Sequence, residues 1–298
     1  MKFVEFYHTF HQTLQKNYPL REERESLFFL LACYILKREK TAVRLQLLHQ
    51  DTLDVAALKV LKKGLESLKN NRPIQYISGK ALFFDLDWIV DERTLIPRPE
   101  TEELISWVIE NHASKTDLFL LDVGTGSGCI AVSLKNRLPN ATVYALDISE
   151  DALEVARQNA VRHKVDISFH RFDILKTPLP EAWPNFDVIV SNPPYVRISE
   201  KALMHPNVYR YEPTEALFVS DEDPLIFYRE IALRSLKRTR SNGSIYFEIN
   251  QFLAQETALL MEESGYIKIE IRKDIYGNPR MLKARINHQD PLTGGKDD

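Results

Sequence analysis

Apolar residues recur at helical spacing from the start of the chain. Phe3, Phe6, Tyr7, Phe10 and Leu14 share one face, and Pro19 ends the pattern. A second helix is expected over 22–36, with Leu27, Leu30, Leu31 and Tyr34 inward. A shorter segment carries Val43, Leu47 and Leu48. A fourth helix follows Asp54, with Val55, Leu58, Leu61, Leu65 and Leu68 on one side and Lys59, Lys62, Lys63 and Lys69 on the other. The lysines form either a solvated face or a patch that docks an acidic or RNA-bound partner. Residues 1–72 therefore read as a small all-helical domain.

The period then changes. Residues 81–84 and 86–90 carry enough large apolar side chains for a β-hairpin or ribbon, so the connection over 73–98 is ordered. A stiff connector implies a fixed relation between two domains, with a cleft between them. Pro97 and Pro99 fix the path of the chain around Arg98. A helix is expected over 100–109, with Leu104, Ile105 and Val108 as its stripe and Glu100, Glu102 and Glu103 at the positive end of its dipole. From residue 117 strands and helices alternate. Strands are expected at 118–123, 142–146, 165–169, 186–191, 244–249, 266–272 and 281–286. Helices are expected at 129–138, 149–161, 224–236 and 252–263. The join between the last two strands is too short for a parallel crossover, so that pair should be antiparallel. The class is α/β: a doubly wound, mostly parallel sheet over 99–287, ending in an antiparallel hairpin.

Length and charge refine this picture only a little. The 298 residues allow one large domain or two ordinary ones. With 39 basic and 42 acidic side chains, nothing global demands nucleic acid or a membrane. Residues 1–72 hold 13 Lys and Arg against 8 Asp and Glu, which leaves 26 against 34 for the rest. That asymmetry fits two units with different surfaces. Cys33 and Cys129 lack metal-ligand spacing and read as reduced cysteines of a cytoplasmic protein. His8, His11 and His49 stand alone. No segment has the apolar length of a signal or a membrane span. A monomer is expected, because no surplus apolar surface is evident. The polar tail at 288–298 is expected to be flexible.

The strand at 186–191 ends in Asn192-Pro193-Pro194-Tyr195. Two consecutive prolines cannot continue a ladder, since each lacks an N–H and has a fixed φ. The turn therefore presents an amide, two unpaired carbonyls and a ring at the carboxyl end of a strand, where open α/β sheets bind ligands. Acceptors beside a flat ring suit a planar –NH2 group. The plainer alternative is a proline-rich turn whose asparagine caps its own backbone.

Asp122-Val123-Gly124-Thr125-Gly126-Ser127-Gly128 follows the first buried strand and opens a helix. Its glycines let the chain turn tightly and approach a ligand closely. No Gly-Lys-Ser/Thr follows, so this is not a Walker loop. Taken bare, it suits a dinucleotide, a nucleoside-bearing cofactor or only a tight β–α turn. Asp147 ends the next strand, 19 residues after Gly128, where a carboxylate can accept both hydroxyls of a ribose. Asp173 stands at the same rim and suits an adenine amine, with Phe172 or its neighbours against the ring. Two carboxylates and no basic residue in the loop lean away from pyrophosphate, although a helix N-terminus can bind pyrophosphate unaided.

Together these halves make methyl transfer from S-adenosylmethionine to a planar nitrogen the leading chemistry. No nucleophile is placed for acyl transfer, and no metal cluster is evident. Asn192 and the Pro193 carbonyl would accept two N–H groups. Tyr195 would wall the pocket and face the sulfonium, where a ring helps a cation by ~0.5–2 kcal/mol. Alignment and charge stabilisation then carry the reaction without a general base.

The motifs at 122–131, Asp147 with Ile148, Asp173 and Ser191–Tyr195 resemble class I S-adenosylmethionine-dependent methyltransferases that modify amino groups. More specific are Arg72-Pro-Ile-Gln-Tyr-Ile-Ser-Gly79 and Leu95-Ile-Pro-Arg-Pro-Glu-Thr-Glu102, with Tyr211-Glu212-Pro213 and Asp223-Pro-Leu225. These are similar to the protein-(glutamine-N5) methyltransferases of peptide chain release factors, the PrmC/HemK family, over nearly the whole chain. The resemblance implies methylation of the glutamine in the Gly-Gly-Gln loop of class 1 release factors. Gly124, Thr125, Gly126, Gly128, Asp147, Ile148, Phe172, Asp173 and Asn192 would hold the cofactor. Arg98, Pro99 and Thr101 would line the cleft beside Asn192, Pro193, Pro194 and Tyr195, and the N-terminal helices would help dock the release factor. Glutamine methyltransferases of ribosomal protein L3 are close relatives, but Pro99-Glu100-Thr101 favours the release-factor enzymes.

Two departures stand out. The family's glycine-rich segment is replaced by Phe218-Val219-Ser220-Asp221-Glu222-Asp223, which is expected to alter a surface loop by the substrate cleft. The usual Glu-Ile-Gly becomes Glu248-Ile249-Asn250, acceptable if Asn250 adopts the left-handed backbone state. Among rivals, an adenine-N6 DNA methyltransferase should bring a recognition domain and a basic DNA face, and neither is evident. A nicotinamide dehydrogenase leaves Asn192–Tyr195 without a task. A silent cofactor-binding module would bind without transferring a methyl group.

Overall fold

The computed structural model describes residues 1–286, so the expectation for the tail at 288–298 falls outside the described residues. The chain divides into two units. One comprises residues 1–80 with 204–211, and the other 81–203 with 212–286. Among the described residues, no helix is long and apolar enough to cross a membrane.

The first unit contains α1 (Phe3–Leu14), α2 (Arg21–Leu36), α3 (Lys40–Leu48), α4 (Val55–Lys69) and the short α5 (Ile74–Ser78). The rings of Phe3, Phe6 and Phe10 lie 5.5, 6.3 and 5.3 Å from that of Phe28, so α1 and α2 share an aromatic core. Asp54 caps α4 by accepting from the Ala57 N–H. The inward face of α2 differs from the expected one. Phe28, Phe29, Leu31 and Ala32 are buried, whereas Leu30 is 55% and Tyr34 43% exposed. Residues 27–36 are apolar on every side, so periodicity could not select a face; packing against the α1 phenylalanines did. Leu48 and Val55, also expected inside, are exposed at helix ends. Gly64 lets α4 approach α2, since a Cβ there would lie 2.6 Å from Leu31 Cδ1. Residues 204–211 join this unit far from it in sequence, with Tyr211 Oη donating to the Asn70 carbonyl at 2.8 Å. No periodic signal announces them, nor α5, which is too short to show one.

The second unit begins with a hairpin of β1 (Lys80–Phe83) and β2 (Leu86–Ile89). Phe84 and Asp85 between them both have positive φ, as a two-residue turn requires. After α6 (Pro99–His112) comes the main sheet, with α7 (Cys129–Arg137) and α8 (Glu150–Arg162) among its crossovers. Its strands are β3 (Phe119–Val123), β4 (Thr142–Asp147), β5 (Ser168–Arg171), β6 (Phe186–Ser191), β9 (Thr239–Glu248), β10 (Tyr266–Lys273) and β11 (Pro279–Ile286). They are ordered β10-β11-β9-β6-β3-β4-β5. β9, β6, β3, β4 and β5 pair in parallel, and β11 is antiparallel to both neighbours. The closing hairpin and the parallel core are those expected. β5 forms later than expected because Lys164, at φ 56, prolongs the preceding turn, and β9 starts earlier, at Thr239.

The register of this sheet positions everything that follows. Val123 pairs with Leu146 of β4 and with Ser191 of β6, and Ser191 pairs with Phe247 of β9. Residues 124, 147, 192 and 248 are therefore successors of one aligned row, at the carboxyl ends of four adjacent strands. The topological switch point lies beside β3, where ligands bind in open α/β sheets.

Candidate active site

The glycine loop leaves β3 and is held by the backbone of β4. The Gly124 and Thr125 N–H groups both donate to the Leu146 carbonyl at 2.9 Å, and the Gly126 N–H donates to Asp147 Oδ2 at 2.8 Å. Asp147 Oδ1 accepts from the Ser149 N–H at 2.9 Å. Burial pushes the Asp147 carboxyl up, against the pull of the Ser149 and Gly126 amides. Gly124, Gly126 and Gly128 all have positive φ, but they serve different ends. A Cβ on Gly124 or Gly126 would meet open space, whereas one on Gly128 would lie 3.1 Å from Ala156 Cβ in α8. The first two leave room for a ligand, and the third lets two helices approach. Fully buried Asn159 of α8 pins the loop further, donating to the Ser127 carbonyl at 2.9 Å and to Ile89 of β2 at 3.0 Å.

Asp122 lies beneath the loop. Its Oδ2 accepts from Thr125 Oγ1 at 2.6 Å and from the Ala131 N–H at 3.1 Å, while Oδ1 is buried without a partner. Burial pushes its carboxyl up to about 7, against those two hydrogen bonds. A buried acceptor without a donor, beside a loop that leaves room, fits a ligand carrying its own N–H group.

The other half of the site is built from side chains. Ser191 Oγ donates to the Val123 carbonyl at 2.6 Å and locks the end of β6 to β3. Asn192 Nδ2 donates to Thr101 Oγ1 at 3.1 Å, Thr101 Oγ1 donates to Glu248 Oε2 at 2.6 Å, and Tyr195 Oη donates to Glu248 Oε1 at 2.9 Å. Asn192 thus does not cap its own backbone, and the plainer reading of the turn is set aside. Burial pushes the Glu248 carboxyl up while the Thr101 and Tyr195 hydroxyls pull it down. The Tyr195 phenol is held well above its usual range by burial and by Glu248. Pro193 is buried and Pro194 half-buried.

Asn250 does not take the left-handed state expected of it. It lies at φ −65 and ψ 123 and uses its side chain instead, Nδ2 donating to the Tyr195 carbonyl at 2.9 Å. A glycine could not make that bond. The altered segment at 218–223 also has a definite place. β7 (Val196–Arg197) and β8 (Phe218–Val219) pair in parallel, and the Asp221 carboxylate accepts from the Ser199 N–H and Oγ. The substitutions tie this segment to the residues that follow the proline turn.

The remaining expected residues are more dispersed. Ile148 is 54% exposed beside Asp147 and offers an apolar face there. The Phe172 N–H donates to the Asp147 carbonyl at 2.8 Å, and its ring packs 5.9 Å from Trp183. Asp173 Oδ1 accepts from the Leu175 N–H at 3.0 Å, and Oδ2 lies 3.2 Å from Lys176 Nζ. Arg98, expected in the cleft, pairs with buried Glu212, which also accepts from the Ile96 N–H at 3.1 Å. Pro99 opens α6 at a position that needs no N–H. Thr101, expected as a lining residue, is buried behind Asn192 with its hydroxyl committed.

In the sequence Asp122, Glu212 and Glu248 stand only as parts of motifs, with no task attached to them. Each is an acid in an apolar or proline-rich run, a signal that could have marked them, because buried carboxylates require partners. Among the described residues, no group of three or more His, Cys, Asp or Glu could hold a metal ion.

Comparison with known proteins agrees with this geometry. A family described as a methyltransferase domain matches residues 114–289. The release factor glutamine methyltransferase of Flavobacterium psychrophilum is 48% identical over 270 residues, covering 89% of this chain and 93% of that protein. The one of Bacteroides thetaiotaomicron is 41% identical, covering 92% and 96%. Among solved structures, the 16S rRNA N2 G1207 methyltransferase of T. thermophilus shares the fold at 17% identity and a TM-score of 0.50, covering 70% of this chain and 50% of that one. The parallel core with its antiparallel hairpin is thus the Rossmann-like class I methyltransferase fold, and the chain belongs to the release factor glutamine methyltransferase family.

Proposed function

We propose that this protein transfers a methyl group from S-adenosylmethionine to the side-chain nitrogen of the Gly-Gly-Gln glutamine in class 1 peptide chain release factors. The observation that carries the reading is the aligned row of residues 124, 147, 192 and 248, which sets a glycine cradle beside an amide acceptor. The cofactor fits the residues present. Gly124 and Gly126 leave space, Asp122 Oδ1 awaits a donor, and no cation stands in the loop to meet a phosphate. Asp147 takes the ribose hydroxyls, Asp173 the adenine amine, and Ile148 one face of the base. When bound, S-adenosylmethionine supplies an electrophilic methyl group on a sulfonium.

An amide nitrogen is a weak nucleophile because its lone pair is delocalised, so position and charge stabilisation must do the work. Asn192 Oδ1 and the Pro193 carbonyl accept the two N–H groups of the glutamine and aim its lone pair. The transfer would exchange the methyl–sulfur bond for a methyl–nitrogen bond and leave a neutral thioether; the positive charge developing on the amide nitrogen would be stabilised by these two oxygens before a proton leaves to water. Glu248 is not assigned as the base, since it is buried behind the Thr101 and Tyr195 hydroxyls that it holds. Tyr195 walls the pocket with its hydroxyl held away on Glu248. We assign docking of the release factor to the helical unit, whose α4 exposes Lys59, Lys62, Lys63 and Lys69. The same reading makes the protein a cytoplasmic monomer, with Cys33 and Cys129 free.

The test is incubation with methyl-labelled S-adenosylmethionine and a purified release factor, beside the same factor carrying Gln→Ala in its loop. Label should enter the first and not the second. Equal labelling of both would overturn the substrate assignment.

A further inference from the structure

The side chain of Asn192 has two unlike ends, and only its oxygen suits the role above. What decides the end that faces the pocket is a proton count. Tyr195 Oη lies 2.9 Å from Glu248 Oε1, and Thr101 Oγ1 lies 2.6 Å from Glu248 Oε2. Each hydroxyl has one proton to give, and Glu248 in its ionised state, which the two hydroxyls favour and burial opposes, can only accept. With its proton committed to Glu248, Thr101 Oγ1 can only accept from Asn192, 3.1 Å away. In that state the Asn192 NH2 faces Thr101, as the 3.1 Å Nδ2–Oγ1 hydrogen bond has it, and Oδ1 faces the other way. Reversed, two acceptors would oppose each other in a partly buried place.

We propose that Glu248, acting through Thr101, is the positioning group that fixes the orientation of the Asn192 amide and so selects a substrate N–H donor at this site. The inference rests on the glutamine-methylation reading for its functional meaning, but the orientation itself does not depend on it. The four residues come from three distant parts of the chain: α6, the turn after β6, and the end of β9. Glu248 is 1% exposed and carries no direct ion pair among those of the described residues. A carboxylate so placed costs stability unless its acceptors are filled, and here two hydroxyls fill them. A core position in a strand could hold an apolar residue more cheaply. The same carboxylate also holds Tyr195 by its hydroxyl, so one residue sets both the acceptor and the wall.

The test uses Thr101→Val, which keeps the shape and removes the hydroxyl, Thr101→Ser, which keeps the hydroxyl, and Glu248→Gln. Thr101→Val and Glu248→Gln should lower kcat on the release factor by about 10- to 100-fold, the cost of a misplaced reacting group, with cofactor affinity within about threefold of wild type. Thr101→Ser should recover most of that loss, and Thr101→Val should add nothing in an Asn192→Ala background. A second arm needs no substrate. The side-chain amide resonances of Asn192, assigned by their loss in Asn192→Ala, should move in Thr101→Val and Glu248→Gln and stay near wild type in Thr101→Ser. Wild-type kcat together with an unmoved Asn192 amide in Thr101→Val would overturn the proposal. A wild-type protein that leaves the release factor unmethylated would instead refute the function, and the amide resonances would still judge the orientation.

Discussion

At the ends of β3 and β4 the site is held by backbone, whereas at the end of β6 it is held by side chains delivered from far along the chain. The glycine loop needs Leu146 and Asp147, about twenty residues away in a neighbouring strand, and most of its bonds use N–H and C=O groups that any residue supplies. The asparagine turn needs Thr101, 91 residues before it, and Thr101 in turn needs Glu248, 147 residues on. The first half is a surface shaped to admit a cofactor. The second is a polar network whose donors and acceptors must all be in place. Binding and chemistry should therefore fail separately.

Asn192→Ala should break the second half alone. Turnover should drop by about 10²- to 10³-fold, as for removal of one polarising group, while cofactor affinity by calorimetry changes by less than about threefold. A parallel loss of both would erase the distinction. Asp147→Ala attacks the first half. It removes the acceptor for the Gly126 and Ser149 N–H groups together with the ribose carboxylate. Cofactor Kd should rise by about 10- to 100-fold, with a smaller effect on kcat at saturation.

Within the loop, Gly128→Ala and Gly124→Ala separate packing from access. The first drives a Cβ to 3.1 Å from Ala156 Cβ at positive φ, and urea unfolding should register a loss of about 2–3 kcal/mol. The second meets only open space and should cost about 1 kcal/mol of backbone strain while weakening cofactor binding. Equal destabilisation by the two would contradict the division of labour.

A fourth, pH-dependent effect concerns Asp122, whose carboxyl is raised to about 7 in the folded protein. The folded state then holds this proton more tightly than the unfolded chain, whose carboxyl titrates near ~3.9. That contribution is complete below the unfolded value and is lost as pH rises to about 7. Asp122→Asn cannot titrate, so in cofactor-free protein its unfolding free energy should improve relative to wild type between pH 5 and pH 8. Parallel profiles for the two proteins would contradict this.

The same contrast explains what could be read from sequence. Gly124, Gly126, Gly128 and Asp147 form one short segment and one strand end, and both strand pattern and glycine spacing are local signals. Phe186–Ser191 was equally plain, as an apolar run stopped by two prolines. Thr101 was visible as part of a motif, but its burial and its bond to Glu248 depend on register between strands and on where α6 lies, which no local pattern encodes. Arg98 and Glu212 behave alike: 114 residues separate them, and the arginine expected to meet substrate is engaged by a buried acid. In the helical unit, α2 misled for the opposite reason, since it carries apolar residues on all sides and its orientation is set by three phenylalanines of α1.

The most direct measurement is a crystal structure of the protein with demethylated cofactor and a release factor bound. The glutamine side-chain nitrogen should lie within about 3.2 Å of both Asn192 Oδ1 and the Pro193 carbonyl oxygen, the reach of an N–H···O hydrogen bond. A glutamine amide bound elsewhere, or an Asn192 whose oxygen faces Thr101, would contradict the account.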